Sequence, residues 1–326
     1  MPFWCLVVPA SPAMARGMTT PLTHGATSRQ NGAIAAIATY TFWGVMPLYF
    51  KPLGDVPAPE LLAWRIIWSM PICFGIIVLQ RQSAALVAAF RNRAIVLRLM
   101  TSALFTCTNS LIFFVAVVTG HVLATSLGYY IMPLVNVLIG TVFLRERLSR
   151  IQWSAVAVAA TGIGLLAFGE LDMLLVAIAL GVTYALYGFV RKITPVGALE
   201  GVTIETGVCL IPAFAVVGWY AWTGNGIGGG SSLVASWQTA VLLMIGGLFT
   251  AIPLLLFGYA ARRLTLSAMG FAQFITPSIG FLLGHFLYGE PLDAARTGCF
   301  VLIWIALGLF TWDMVRQARL NSHTRS

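Results

Sequence analysis

Ten apolar runs, each about the length of a bilayer-spanning helix, constrain this chain more than any other feature. They lie at 32–50, 60–79, 96–118, 122–144, 152–168, 171–190, 201–222, 238–260, 266–288 and 296–315. A helix crosses the hydrocarbon core in about 20 residues, so each run is read as one transmembrane span, numbered here spans 1 to 10. The composition agrees: 59% of the 326 residues are apolar and 9% are charged. A soluble domain carries roughly a quarter of its residues as charges. The connections are too short to hold a large soluble domain.

The charges that remain are unevenly placed. Sixteen Lys and Arg residues fall in the two terminal segments and in the connections after spans 2, 4, 6 and 8. The opposite set of connections holds Lys51 and Arg296, and Arg65 lies inside span 2. This positive-inside bias predicts an even number of spans with both termini in the cytoplasm. It also accounts for the net charge of +9 without a nucleic-acid partner. Residues 1–30 read as a disordered cytoplasmic tail, and Met14 and Met18 offer later starts. Residues 317–326 read as a basic cytoplasmic tail. The connection 223–237 contains Thr-Gly-Asn-Gly-Ile-Gly-Gly-Gly and reads as flexible.

The chain repeats itself at a shift of 144 residues. Tyr40 aligns with Tyr184, Gly44 with Gly188, Phe113 with Phe257, Pro133 with Pro277, Gly140 with Gly284 and Glu146 with Glu290. The halves, 31–170 and 171–316, hold five spans each. Five is odd, so the second half is expected to enter the membrane inverted. The predicted fold is an all-α membrane protein of ten helices in two inverted five-helix repeats. Such repeats recur in transporters, where the halves enclose a site near the midplane. A channel, or a repeat kept for packing alone, is the competing reading. A membrane-embedded enzyme would need a catalytic constellation, and neither H-E-x-x-H nor paired intramembrane acids occur.

Two segments close the repeats: Phe-Leu-Arg-Glu-Arg-Leu-Ser-Arg-Ile-Gln-Trp at 143–153 and Phe-Leu-Tyr-Gly-Glu-Pro-Leu at 286–292. They resemble the paired signature of the EamA family in the drug/metabolite transporter superfamily. The run from Gly128 through Tyr129 and Pro133 to Asn136 resembles the RarD branch of that family. So do Trp64-Arg65-Ile-Ile-Trp68-Ser69, Ile204-Glu205-Thr206 and Gly270-Phe-Ala-Gln273-Phe. Arg145 and Trp64 depart from the commoner pattern. The resemblance implies an inner-membrane permease with a small-molecule substrate and no cofactor. It implies a central cavity lined by spans 3, 4, 8 and 9, and export rather than uptake. It leaves room for a homodimer.

Several residues are candidates for that cavity. Tyr129, Pro133, Asn136 and Gly140 share one face of span 4; Gln273, Pro277, Gly280 and Gly284 repeat the spacing in span 9. Tyr129, Asn136 and Gln273 either line the cavity or bond between helices. The prolines and small residues suit hinges or close packing, and Gly280-x-x-x-Gly284 has the form of a packing motif. Asn109 in span 3 and Tyr40 and Tyr184 in spans 1 and 6 are further candidates. Arg65 and Glu205 are the charges well inside spans. An arginine at a helix centre costs about 2.5–3.5 kcal/mol on insertion scales. Their depths, near opposite faces, argue against a direct bridge. Arg65 is a candidate to attract an anionic substrate group, and Glu205 a candidate to carry a coupling proton. Glu146 and Glu290 read as acids that favour a helix start or pair with nearby arginines. His121 and His285 are single, the cysteines form no C-x-x-C pair, and no metal site is expected. No phosphate-binding G-x-x-x-x-G-K-[ST] loop is present, which argues against direct ATP drive.

Overall fold

The computed structural model describes residues 26–118, 122–167, 174–288 and 294–323. Every regular element among them is helical: α1 Ala26–Phe50, α2 Ala58–Leu79, α3 Ser83–Arg91, α4 Arg93–Val118, α5 Val122–Val142, α6 Arg150–Ala167, α7 Leu174–Ile193, α8 Ala198–Thr223, α9 Trp237–Ala261, α10 Leu266–Gln273, α11 Ile275–Tyr288 and α12 Ala294–His323. Eight helices among the described residues are long and apolar enough to cross a membrane, and Leu127–Val142 in α5 is a shorter apolar stretch. The protein is therefore an all-helical, multi-pass membrane protein.

Each predicted span falls on a helix, with differences that have physical causes. Span 9 divides into α10 and α11 at Phe274. Pro277 has no N–H to give the carbonyl of Gln273 four residues earlier, and its ring crowds that carbonyl. Pro133 lies within the continuous α5. The basic connection after span 2 contains α3, with Leu86 buried and Val87 and Phe90 exposed. A short helix with apolar residues on its free face and Arg81, Arg91 and Arg93 at its ends suits the membrane interface. Helix α1 begins at Ala26, inside the predicted tail, and α12 continues through the predicted C-terminal tail to His323. Most of the 1–30 segment lies outside the described residues.

The Gly-rich connection is less free than its composition suggests. Glu60, fully buried at the start of α2, accepts hydrogen bonds from Ser231 Oγ (2.8 Å), Ser232 N (2.7 Å) and Ser232 Oγ (2.6 Å). Trp64 Nε1 donates to the same carboxylate at 3.2 Å. One acid thus pins a short 3-10 turn, Ser232–Val234, onto the end of α2.

Packing follows a pattern of exchange between the halves. Helix α1 packs on α9, α10 and α11, and α7 packs on α4 and α5. Helix α2 lies against α8, α5 against α10, and α6 against α12. Swapping each helix for its counterpart one repeat away reproduces these pairs. The α5–α10 contact is close because Gly270 lacks a side chain: a Cβ there would stand 2.7 Å from the carbonyl oxygen of Pro133. Tyr40, Tyr187, Phe257 and Met269 are buried where α1, α7, α9 and α10 meet.

Removing the Glu60 carboxylate should free the connection it holds. Glu60→Ala is expected to cost about 2 kcal/mol, the scale of a hydrogen bond to a charged group. Hydrogen exchange at the amides of Ser231–Val234 should rise sharply while that of α2 stays slow; unchanged exchange there would show that the carboxylate is not the restraint.

Candidate functional site

An aromatic cluster occupies the junction of α1, α7 and α9. Trp43 stands edge-on to Tyr40 at 5.7 Å and to Tyr184 at 6.1 Å, and Tyr187 stacks on Phe257 at 5.4 Å between ring centroids. The hydroxyls of Tyr40, Tyr184 and Tyr187 are buried and have no hydrogen-bond partner within the described protein. Buried polar groups are nearly always satisfied, so three together mark a place where the fold leaves bonding capacity unused. Asn136 and Gln273 join across the halves, Asn136 Nδ2 donating to Gln273 Oε1 at 2.9 Å. Gln273 Nε2 turns to Met132 Sδ at 3.3 Å, while Asn136 Oδ1 stays unpartnered. Proline placement reinforces this: Pro133 and Pro277 free the carbonyls of Tyr129 and Gln273 by the same i−4 rule.

Arg65 reaches this region from α2. Its Nε donates to Thr250 Oγ1 at 3.1 Å, Nη2 lies 3.8 Å from Met46 Sδ, and the guanidinium sits 5.2 Å from the centre of the Phe50 ring. Tyr49, stacked on Phe249 at 4.4 Å, and Tyr129 are its electrostatic neighbours. Tyr129 touches the edge of Phe113 at 6.2 Å and lies within electrostatic reach of Tyr184. Tyr129 is 39% accessible. Two shallow apolar grooves, of about 380 Å³ beside Pro59 and Trp219 and about 430 Å³ beside Trp68 and Met244, hold none of these groups.

Glu205 belongs to a separate cluster. Ser102 Oγ donates to its Oε1 at 2.6 Å, and Arg191 Nε lies 3.6 Å from the same oxygen. The Arg65–Glu205 bridge that depth argued against is not among the described ion pairs. Arg191, counted above with the connection after span 6, lies instead within a helix. Helix α7 continues to Ile193, and Arg191 is 4% exposed. Glycines make room for it: a Cβ on Gly258 would come within 2.7 Å of its Nη2, and one on Gly201 would overlap its guanidinium. Nη2 donates to the Ala198 carbonyl at 3.4 Å, while Nε and Nη1 make no hydrogen bond.

Other candidates serve the scaffold. Asn109 Nδ2 donates to Leu180 O and Thr183 Oγ1, both at 2.9 Å, which ties α4 to α7. Glu146 does not cap the helix that follows it. It accepts from Leu266 N (2.6 Å), Ser267 N (2.9 Å) and Ser267 Oγ (2.7 Å), so an acid of the first repeat caps α10 of the second. Gly140 leaves space for that carboxylate. A Cβ on Gly280 would meet nothing within 4 Å, so the Gly280-x-x-x-Gly284 motif brings no helix close at its first position. Glu290 lies outside the described residues. Arg191, Ser102 and Glu60 escaped the sequence reading; for Arg191 the signal was Gly201 four residues before Glu205, a gap at helical spacing beside a buried acid.

The chain matches the EamA-like transporter family over residues 30–168. It is 40% identical over 299 residues to an uncharacterized transporter of Vibrio cholerae, covering 91% of this chain and 97% of the relative. The chain belongs to the EamA-like transporter family. The RarD proteins of Salmonella typhi (38% identical, 89% and 97% covered) and Escherichia coli K12 (37% identical, 90% and 98% covered) place it with RarD-type permeases. The resemblance to the RarD branch of the EamA family is borne out. One solved crystal structure, 17% identical, superposes with a TM-score of 0.67 over 86% of this chain and 97% of its own, a likeness of fold alone.

A double substitution tests the buried pair. Arg191→Met strands Glu205 without its counter-charge and is expected to cost about 3–5 kcal/mol. Arg191→Met/Glu205→Gln should recover much of that loss in thermal unfolding of the detergent-purified protein. Equal losses in the single and double variants would refute the coupling.

Proposed function

We propose that this chain is a secondary carrier of a bacterial inner membrane that exports a small amphipathic metabolite or drug-like compound by alternating access. One observation carries the reading. The unpartnered Tyr40, Tyr184, Tyr187 and Asn136 oxygens gather where helices of both halves meet. Polar groups held without partners at membrane depth point to a substrate pathway. Tyr129, Gln273 and Arg65 join them in the proposed cavity. Ten spans in two inverted halves, with both termini cytoplasmic, complete the proposal. The 144-residue repeat, the one-sided basic residues and the exchange of helix pairs between the halves support it. Inverted halves packed face to face supply the two elements that rock against each other. Glu205, held between Ser102 and Arg191 away from the aromatic cluster, is proposed as the coupling-proton site.

The substrate is best found first by comparing extracellular metabolites of deletion and overexpression strains. With that compound radiolabelled, reconstituted protein should give saturable counterflow; diffusive single-channel currents would favour a channel instead. Glu205→Gln should abolish uptake driven by a pH gradient while counterflow persists. Undiminished driven uptake would remove Glu205 from coupling. Tyr184→Phe, which deletes one unpartnered hydroxyl, is expected to weaken substrate affinity about five- to tenfold, measured as KM for counterflow.

A further inference from the structure

Arg65, half-buried on α2, differs from the buried Arg191 in one respect: Arg191 has Glu205 within salt-bridge distance, and Arg65 has no carboxylate within that distance among the described residues. Its Nε is taken by the Thr250 hydroxyl, and Nη2 meets only the weak acceptor Met46 Sδ. Nη1 makes no hydrogen bond among the described residues. The Nη1–Nη2 edge, the fork that fits a carboxylate with two parallel bonds, is therefore free of oxygen acceptors. The site is built around this side chain: a Cβ on Gly246 of α9 would stand 2.8 Å from Arg65 Cγ. Only a small residue there lets the arginine lie across α9. Its electrostatic neighbours are phenols, Tyr49 and Tyr129. A low-dielectric site holding one uncompensated cation favours a partner of one negative charge.

The surroundings specify the rest of that partner. Tyr129 stands within electrostatic reach of both Arg65 and Tyr184. Met46, which Nη2 meets, stands three residues beyond Trp43 on the same side of α1, and the rings of Trp43 and Tyr184 beside it have faces that suit a flat apolar body. We infer that Arg65 is the substrate-recognition cation and that the carried compounds are aromatic monocarboxylates, the carboxylate on the Arg65 fork and the ring among Trp43, Tyr129 and Tyr184. This rests on the reading of the aromatic cluster as the substrate cavity.

The test uses acids paired with their neutral isosteres on the full-length protein in detergent. Equilibrium dialysis would compare radiolabelled phenylacetate with phenylacetamide, and indole-3-acetate with indole-3-acetamide. The wild type should bind at least one acid about tenfold more tightly than its amide, the scale of a hydrogen-bonded charge pair. Arg65→Gln should make the pair equal, and Arg65→Lys should keep part of the preference. Equal binding of acid and amide to the wild type, binding of neither pair, or an acid preference that survives Arg65→Gln would each overturn the inference. The wild-type comparison stands even if the variants fold poorly. Counterflow indifferent to acid or amide would overturn the anion site and leave the carrier standing. Acid-selective binding without counterflow would do the reverse.

Discussion

In the hydrocarbon core no water is available to finish a hydrogen bond, so each polar group must find its partner inside the protein. The described contacts are largely the solution to that requirement. Backbone groups are closed within helices, and the helix ends and buried charges are closed by side chains from elsewhere in the chain. Glu146 caps α10 from 120 residues away, Glu60 holds the connection at Ser231 and Ser232, and Ser149 ties the start of α6 to Asp313 of α12 at 2.7 Å. Lys192 bonds to the Ala261 and Leu264 carbonyls at the end of α9. The Glu146, Glu60 and Ser149 bonds join the two halves at the helix ends, and the Lys192 bonds tie α7 to the end of α9 within the second half; hydrophobic burial alone specifies little at such ends.

Against that background the centre of the molecule stands out. Three tyrosine hydroxyls and one amide oxygen are left over, and an arginine in the same neighbourhood lacks an acid. A fold that closes Glu60 with four donors has the means to close these groups too. Leaving them open is destabilising, and that cost is what the proposed substrate cavity accounts for. The Asn136–Gln273 bond has a different character: it spans the halves at the point where Pro277 interrupts the helix. It ties α5 of the first half to α10 of the second.

The two clusters divide the charges by role. Arg191 and Glu205 neutralise one another, with Ser102 completing the carboxylate's shell. Arg65 remains a net charge facing phenols and rings. Glycine absence of bulk serves both, at Gly201 and Gly258 for Arg191 and at Gly246 for Arg65. A charged side chain inside a helical bundle needs volume as much as it needs a partner, and small residues on the facing helix supply it.

Much of this was legible in the sequence, because a span depends on local composition and length alone. The apolar runs, the repeat at 144 residues and the family signatures around Glu146 and Glu290 can be read one residue at a time. So can the unusual character of Arg65, Glu205, Asn136 and Gln273, since a polar residue in an apolar run is conspicuous wherever it points. Partners could not be read this way. Whether Asn109 meets a substrate or the carbonyl of Leu180, and whether Glu146 caps the next helix or one in the other repeat, depends on how each helix is rotated and which helix lies beside it. Arg191 looked like a topology marker because its partner is fourteen residues away on another helix. Composition thus determined which segments are helices; only tertiary packing decided which polar groups are satisfied and which are left facing one another at the centre, because each pairing is a property of two helices at once.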